Sequence, residues 1–533
     1  MSNIGNWVDR IPSTTNEKMD ELFGNTFYHS GLPFRFADSE SLKQFLFYIR
    51  PAYNVPSSKK VAGSLLNKAH SKFIDYVEDC LNSSSHIYLV SDGWSFMMKD
   101  HYVNHIALFG KKSIPPILYC CTNTGEIAQT GENIALETIS VINEIGSEKV
   151  VSLVTDNASN MKTAWKILRE NYPKLIINGC AAHTINLLVK DICKLDEYES
   201  TMTDCRFVTA FVNDRNILST RFGSLQVGLF ESETNLQSKR KLVFVSDTRW
   251  YTHHACVKRI LENKLVLKQL IHTTAFNDIQ QTRELAIKKK RFYSLIDDGA
   301  FWDRVQVAES ILRPTSKAVG LLESDSCCIS DIYRLFLDLL DGYCQIPAIL
   351  ELVNDRWAFL HTESMASAYF LDPKTKAGEG FIGNDLYDCD INLKDYIPRN
   401  NFAGSIQDIE DELELYVEHM KNLSVKEAEY IQTKSAMTYW LTVGAAKFPI
   451  LFCVAKIVLN VPTSQAAAER TWSMYDFILT KRRNSLKPAK VTKLVQLYMN
   501  AGLKDQKVDL LAVMMGLEND CGTDSQSDID NNE

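Results

Sequence analysis

The sequence lacks a regular framework of cysteines. Its 13 cysteines are scattered over 533 residues, adjacent pairs occur only at Cys120–Cys121 and Cys327–Cys328, and no two cysteines have Cys-x-x-Cys spacing. Disulfide-rich secreted domains and zinc ribbons both depend on such spacings. The pattern therefore indicates reduced thiols in an intracellular protein.

The sequence also lacks a secretory leader and a long apolar run. The first residues, MSNIGNWVDRIPSTTNEK, contain no basic segment followed by an apolar one. The longest apolar stretch, FPILFCVAKIVLNV, is interrupted by Lys456 and is shorter than the roughly 20 residues that a spanning helix needs. We expect a buried helix there and no membrane partner.

An excess of positive charge is missing as well. The formal net charge is −8, and the composition, 45% hydrophobic and 23% charged, is that of a globular protein. Basic clusters occur at 239–241, 288–291 and 481–483. Such clusters are usually solvated, but the last one follows Glu469 on the same predicted helix. We therefore expect Lys481, Arg482 and Arg483 to bind nucleic-acid phosphates.

The order of predicted elements indicates an α/β core with a helical insertion. From residue 85 the segments SHIYLVSDGWS, YVNHIALFG and SIPPILYCCT predict three strands, and the next segments alternate as helix, strand, helix, strand, helix. The remaining chain is mostly helical until an acidic, polar tail of a composition typical of disorder. We divide the chain into an N-terminal helical region (1–84), the first part of the core (85–255), a helical insertion domain (256–430), the C-terminal part of the core (431–502) and the tail (503–533).

Three carboxylates are candidates for one site. Asp92 ends the first predicted strand and Asp156 ends the fourth, so the two lie side by side if those strands are neighbours in a mixed sheet. Glu469 follows Ala466–Ala468, whose small side chains would let its helix approach the sheet closely. Carboxylate oxygens suit Mg²⁺ or Mn²⁺, and a pair of such ions can drive a phosphodiester displacement.

Each acid also has an ordinary structural interpretation. Asp after an apolar strand is common in turns and helix caps, the segment DNASN is typical of an Asx-rich turn, and Ala and Glu are good helix formers. The three acids together, rather than any one of them, favour the metal site.

Six segments in this order resemble one family. SDGWS, VTDNASNM, CAAHTINLLVKDI, DTRWYT, AYFLDPK and AAAERTWS are together similar to the hAT superfamily of DNA transposases, over about residues 30–500. The first section resembles the segment called DUF659, and the last resembles the hAT C-terminal dimerisation region. The resemblance implies a ribonuclease H-like mixed sheet flanked by helices and interrupted by a large all-α insertion.

The resemblance also implies functions for particular residues. Asp92, Asp156 and Glu469 match the catalytic, metal-binding acids of a DDE-type enzyme that uses Mg²⁺ or Mn²⁺. Cys180 and His183 match a C/DxxH element near the DNA. Arg249 and Trp250 match an RW element whose Trp stacks on a flipped base, and Arg470 would meet DNA phosphates. The implied partners are DNA and a second copy of the chain, in a homodimer or larger oligomer in the nucleus.

Some of these residues have alternative interpretations. Cys180 and His183 are also typical of a core cysteine and a capping histidine. A zinc site would need His253 and His254 as further ligands, and we expect no structural zinc. Trp250 follows the segment KLVFVSD, predicted as a strand, where a Trp is often a core residue. Base stacking on an aromatic ring is worth roughly 1–3 kcal/mol.

A feature of the family is expected to be lacking. Its members usually carry an N-terminal BED-type zinc finger, yet the only histidines before Cys80 are His29 and His70, and no cysteine precedes it. Three functions stay open: an hAT transposase or degenerate copy without its finger, a domesticated nuclear protein that dimerises and binds DNA or chromatin without cutting, and an RNase H-like nuclease acting on RNA–DNA hybrids. The large insertion and C-terminal helices count against the third.

Overall fold

Five strands form one mixed sheet in the computed structural model, which describes residues 10–95, 101–110, 114–125, 127–230, 241–246, 251–279, 282–324, 327–375, 379–399, 404–479 and 486–500. The strands are β1 (Ile87–Ser95), β2 (His101–Phe109), β3 (Ile117–Asn123), β4 (Val150–Thr155) and β5 (Ile176–Gly179). Their order across the sheet is β3-β2-β1-β4-β5.

The sheet contains both strand directions. β1, β2 and β3 form an antiparallel meander, whereas β4 runs parallel to β1 and β5 parallel to β4. The first and fourth strands are therefore neighbours, as the metal-site hypothesis requires. The predicted fold class is confirmed as a mixed α/β sheet with a large helical region, and the strand order is consistent with a ribonuclease H-like core.

The central strands are buried because their sequence is apolar on both faces. Ile87, Tyr88, Leu89 and Val90 of β1 are each at most 1% exposed. Continuous apolar runs of this kind are typical of strands covered on both sides of a sheet. Because β1 is buried at the centre of the sheet, it provides a fixed position beside which the candidate functional side chains lie.

Two helices connect the last three strands, and a third follows the last strand. They are α5 (Gly131–Ile145), α6 (Ser159–Asn171) and α7 (Ala181–Lys194). The Thr130 hydroxyl accepts a hydrogen bond from the Asn133 backbone at the start of α5, and Gly146 with a φ of 107° ends it. Only glycine adopts such a φ readily, so the end of α5 at Gly146 has a clear physical cause.

Helices precede the sheet. They are α1 (Ser13–Ser30), α2 (Glu40–Ile49), α3 (Ser58–Lys60) and α4 (Leu66–Asn82), with a 3₁₀ turn at Phe34–Asp38 and a π-helical turn at Val61–Leu65 that joins α3 to α4. In this region the buried Tyr28 hydroxyl of α1 donates a hydrogen bond to the Val61 carbonyl, which links α1 to the π-helical turn.

Every regular element described between α7 and residue 433 is a helix. The elements are α8 (Asp196–Asn213), α9 (Asn216–Phe230), α10 (Tyr251–Glu262), α11 (Lys264–Leu270), α12 (Thr274–Asn277), α13 (Arg283–Asp297), α14 (Gly299–Leu322), α15 (Ile329–Gly342), α16 (Pro347–Leu360), α17 (Glu363–Phe370), α18 (Asp385–Arg399), α19 (Ile406–Lys421) and α20 (Val425–Thr433). Helices α8 and α9 thus already precede residue 256, where the insertion was predicted to begin.

The strand predicted at KLVFVSD is wrong over residues 241–246, which have no regular secondary structure. Backbone groups there bond to side chains instead of a neighbouring strand. The Asn213 amide donates to the Leu242 carbonyl, and the Ser246 N–H donates to the Thr252 hydroxyl. An apolar run of this length forms a strand only where a partner strand is available.

The C-terminal helices bring the chain back to the sheet. They are α21 (Ala436–Tyr439), α22 (Ala445–Lys447), α23 (Pro449–Val458), α24 (Ala466–Ile478) and α25 (Pro488–Asn500), with a π-helical turn at Trp440–Gly444. Helix α24 packs on β1 and β2, and α25 packs on β3 and α24. This return places residues near the C-terminal end of the chain beside β1.

The loop after β4 packs closely on the end of β5. The Asn157 amide donates to the Cys180 carbonyl at 3.0 Å and to the Thr184 hydroxyl at 2.9 Å. A Cβ at Gly179 would lie 1.6 Å from Asn157 Oδ1. Glycine at this position is therefore required for the loop that carries Asp156 to reach β5.

We expect Gly179→Ala to destabilise the protein by about 1–3 kcal/mol, because Asn157 must move and release two buried acceptors. Gly223→Ala in α9 is the matched control. No atom lies within 4 Å of its added Cβ, so it should leave stability unchanged or raise it by up to about 1 kcal/mol. Equal melting temperatures for the two variants would contradict the close packing described here.

Candidate active site

Asp92 lies inside β1 rather than at its end. The strand continues through Ser95 on the side paired with β2, whereas its parallel pairing with β4 stops at Val90. Asp92 is 9% exposed and sits opposite Asn104 of β2. Its backbone N–H donates to Asn104 Oδ1 at 3.1 Å. The acid is thus held at the point where the sheet opens between β1 and β4.

Helix α24 approaches this point through its alanines. Ala468 is fully buried, and its carbonyl accepts a hydrogen bond from Asn104 Nδ2 at 3.0 Å. One turn further along, the Trp472 ring stacks on Trp94 of β1, with ring centres 5.3 Å apart. The asparagine therefore joins Asp92 to α24, as the alanine-rich sequence allows.

The Asp92 carboxylate receives two side-chain hydrogen bonds from α24 and its cap. Trp472 Nε1 donates to Oδ2 at 2.9 Å, and Gln465 Nε2 donates to Oδ1 at 3.2 Å. The same Gln465 nitrogen donates to Glu469 Oε1 at 3.3 Å. Since both oxygens contact one nitrogen, Asp92 Oδ1 and Glu469 Oε1 are no more than 6.5 Å apart.

Asp156 follows β4, the strand next to β1. Its Oδ1 accepts a hydrogen bond from the Ala158 N–H at 3.0 Å, which is the turn geometry expected of an Asp at a strand end. Its charge nevertheless acts on Asp92. The structure therefore brings all three acids into one electrostatic neighbourhood.

Asp92 is the acid most affected by these surroundings. Burial, together with the negative charges of Glu469 and Asp156, raises the pKa of Asp92 to about 7. The hydrogen bond from Trp472 acts in the opposite direction because it stabilises the carboxylate. A strongly shifted carboxylic acid among other acids is typical of a functional site.

The oxygen atoms around Asp92 are of the kind that bind a hard divalent cation, but their positions are not those of a formed metal site. Carboxylate and amide oxygens are ligands that Mg²⁺ and Mn²⁺ accept. In the part of the chain that the structure describes, however, no three His, Cys, Asp or Glu side chains lie close enough to hold one metal ion. The carbonyl Oε1 of Gln465 is buried there without a hydrogen-bond partner. Metal binding would thus require a local rearrangement around Asp92.

Cys180 caps the start of α7 and His183 lies in its first turn, and Cys180 has the core environment of the alternative interpretation. It is 1% exposed, and its sulfur accepts the backbone N–H groups of His183 at 3.4 Å and Gln465 at 3.5 Å. Burial raises the pKa of its thiol to about 12. This placement offers Cys180 no surface for DNA, and ties α7 to the start of α24 instead.

Several predicted DNA-binding residues fall outside this description. Arg249, Trp250, Lys481, Arg482 and Arg483 lie outside the described residues. Arg470 is half-buried beside Glu469 in α24, and His183 is half-buried in α7. Their contacts with DNA stay predictions. The histidines considered for zinc bond elsewhere, His253 to Arg206 and His254 to Glu309.

Sequence reasoning missed the residues that hold the Asp92 carboxylate. Trp472 lies three residues after Glu469 and Gln465 four residues before it, which places them on one side of the helix. That spacing was a usable signal. No sequence signal indicated Asn104, because its position opposite Asp92 depends on the register of β1 and β2.

Two family models match the parts of the chain that form this site. Residues 56–208 match the family model "Domain of unknown function (DUF659)", and residues 412–500 match the "hAT family C-terminal dimerisation region". The first match covers β1 to β5 with Asp92 and Asp156, and the second covers α24 with Glu469. No curated protein matches the chain significantly.

Both matches point to a transposase-like class of protein. Taken together, they support an hAT-family transposase-like protein. The dimerisation-region match also supports homo-oligomerisation. Among the described helices, none has both the length and the apolar character needed to cross a membrane.

The apolar stretch at residues 440–461 is mostly buried, in agreement with the buried helix expected over its second half. Most of its apolar side chains are buried, including Trp440, Leu451 and Val461 at 0% exposure. The Trp440 indole donates to the Leu371 carbonyl, so the stretch packs within the chain. Of residues 440–461, all of which are described, Leu441 is the one large apolar residue that is clearly exposed, at 65%.

The pKa of Asp92 predicts a pH-dependent stability. The folded chain keeps a proton on Asp92 up to about pH 7, whereas the unfolded chain loses it near the ordinary value of 3.8. Stability should therefore fall by about 1.4 kcal/mol per pH unit between these values. Asp92→Asn should remove this part of the decline in melting temperature.

The same experiment has a second variant. Trp472→Phe keeps the ring beside Trp94 but removes the N–H that stabilises the carboxylate. It should extend the decline to higher pH. A difference between wild type and Asp92→Asn that stays constant from pH 4.5 to 7.5 would show that the acid is not buried as described.

We expect the full chain to form a homodimer or larger oligomer. At micromolar concentration, light scattering should therefore give a molar mass at least twice the 60.5 kDa of one chain. Leu441→Lys should lower that mass, because it puts a charge on exposed apolar surface within the dimerisation region. Ile217→Lys is the matched control, since Ile217 is also 65% exposed but lies outside the region. A monomer mass for the wild type would contradict the prediction.

Proposed function

We propose that the protein is an hAT-type DNA transposase, or a protein derived from one, whose active form cleaves DNA phosphodiester bonds and transfers strands with a divalent metal ion. The observation that carries this proposal is the meeting of Asp92 with Glu469 beside strand β1, where the charge of Asp156 is also felt. These acids come from the two separate regions that the family models match, and packing alone does not require them to lie together.

The three acids would hold Mg²⁺ or Mn²⁺ through their carboxylate oxygens. When bound, such ions activate a water or hydroxyl nucleophile and stabilise the leaving oxygen of a phosphodiester. Asn104 keeps α24 against the sheet, and Trp472 holds one oxygen of Asp92 in a fixed direction. These positioning contacts keep the site assembled before any substrate arrives.

DNA is the proposed substrate and the nucleus the proposed location. Arg470, beside Glu469, and the basic residues 481–483 would neutralise phosphates near the acids. Arg249 and Trp250 are proposed to hold a nucleotide displaced from the duplex, where an aromatic face can replace lost stacking. Positive side chains near the acids would offset the negative charge of the whole chain locally.

One observation favours a second function, that of a non-catalytic protein that dimerises and binds DNA or chromatin. Both Asp92 oxygens are engaged by N–H donors, and the described residues include no three-ligand cluster. A relic of an active site, stabilised by hydrogen bonds in place of metal, would have this arrangement. Metal binding separates the two functions.

We expect Mg²⁺ and Mn²⁺ to raise the melting temperature of the wild-type chain, because a ligand of the folded state stabilises it by about 2.7 kcal/mol at one hundred times Kd. Asp92→Ala and Asp156→Ala should each abolish the rise. Asp204→Ala, which removes the partner of Arg291 in the helical region, should keep it.

Catalysis is tested on the same variants. In an active protein, Asp92→Ala, Asp156→Ala and Glu469→Ala should each abolish metal-dependent nicking of DNA that bears the cognate ends. If tens of millimolar Mg²⁺ or Mn²⁺ leave the melting curves of wild type and Asp92→Ala equally unchanged, the proposal of a metal-dependent enzyme fails and the non-catalytic function stands.

A further inference from the structure

The Gln465 side chain lies between the two closest acids of the candidate site. Gln465 precedes the first residue of α24 and is 5% exposed. Its Nε2 donates to both Asp92 and Glu469. Its Oε1 is buried and has no hydrogen-bond partner in the described part of the chain. Buried polar atoms are nearly always paired, so an unpaired oxygen next to two acids is a candidate ligand.

The backbone of Gln465 is fixed, whereas its amide has freedom to turn. The Gln465 N–H donates to the Cys180 sulfur, and its carbonyl accepts from the backbone of Ala468 at 2.8 Å and Glu469 at 3.0 Å. The terminal torsion of glutamine is broad and roughly two-fold. A half-turn about that torsion exchanges Nε2 and Oε1 without moving the helix.

The two orientations of the amide suit different occupants. Without a cation, an N–H group between two carboxylates relieves their repulsion, and an oxygen there would add to it. With a divalent cation between them, the N–H group would face positive charge, while an amide oxygen is an accepted ligand of hard cations. The charge at the centre of the site therefore decides which end of the amide points inward.

We propose that Gln465 is an additional metal ligand that turns over on binding. Its Nε2 bridges Asp92 and Glu469 in the metal-free protein, and its Oε1 ligates Mg²⁺ or Mn²⁺ together with those two carboxylates. This inference rests on the proposed metal-dependent function. It supplies a third oxygen next to Asp92 and Glu469, where the described acids alone form no three-ligand group.

Two substitutions of Gln465 should change metal affinity in opposite directions. Gln465→Met keeps the length of the side chain but has no oxygen, so it should weaken Mn²⁺ binding to the full chain by tenfold or more, on the order of the loss seen when a metal site loses a supporting group. Gln465→Glu offers a charged oxygen at the same place and should strengthen binding. Calorimetric titration with MnCl₂ measures both.

If Gln465 bridges the two acids but does not bind the cation, the opposite result is expected. In that case Gln465→Met only removes a hydrogen bond that competes with the cation, and Mn²⁺ affinity should stay the same or rise. Either outcome would overturn the proposal. Failure of Gln465→Glu to strengthen binding would overturn it too, because a carboxylate within ligand reach must add attraction.

A second buried glutamine provides the control. Gln496 in α25 is 4% exposed, and its Nε2 donates to the carbonyls of Leu118 and Tyr119. Gln496→Met should lower the melting temperature and leave Mn²⁺ affinity as in the wild type. If the wild type itself binds no Mn²⁺, the metal-dependent function fails along with this inference. If wild type binds, Asp92→Ala does not, and Gln465→Met binds like the wild type, only the inference about Gln465 fails.

Discussion

The return of helix α24 to strand β1 is the constraint on which the rest of the site depends. A buried asparagine makes it specific, because Asn104 accepts from the Asp92 backbone and donates to the Ala468 carbonyl. Small side chains at the start of the helix permit this approach, and the Trp472 ring against Trp94 sets its rotation. The helix therefore places Glu469 beside Asp92, and the Gln465 amide bonds to both side chains.

The site brings like charges together around the buried Asp92, which is unfavourable without compensation. The chain compensates with N–H donors from Trp472 and Gln465, and part of the remaining cost is seen in the raised pKa of Asp92. Natural proteins tolerate such local costs mainly at functional sites. The same donors would have to adjust to a cation, which couples metal binding to the orientation of a side chain.

Much of the fold could be predicted because it depends on local patterns. Apolar runs identified β1 and β4, Gly146 marked the end of α5, and the alanines before Glu469 indicated close packing. The partners of Asp92 could not be predicted in the same way, since hydrogen bonds between residues hundreds of positions apart depend on register and helix rotation. Tertiary packing also overrode one local signal, the apolar segment at 241–246.

The family matches and the geometry agree on which parts of the chain matter. The two matched regions, 56–208 and 412–500, contribute the strands and the helix that meet at Asp92. The helical region between them is large, but it does not prevent this meeting. Residues of the candidate site that are far apart in the sequence therefore lie close together in the fold.

A double-mutant cycle on Asp92 and Glu469 tests this organisation most directly. At pH 8.5 without metal, Asp92→Asn and Glu469→Gln each relieve the same repulsion, so their combined effect on the free energy of unfolding should differ from the sum by at least about 0.5 kcal/mol. The double variant should gain less than that sum. Additive effects would show that the two carboxylates do not interact, and would contradict the account.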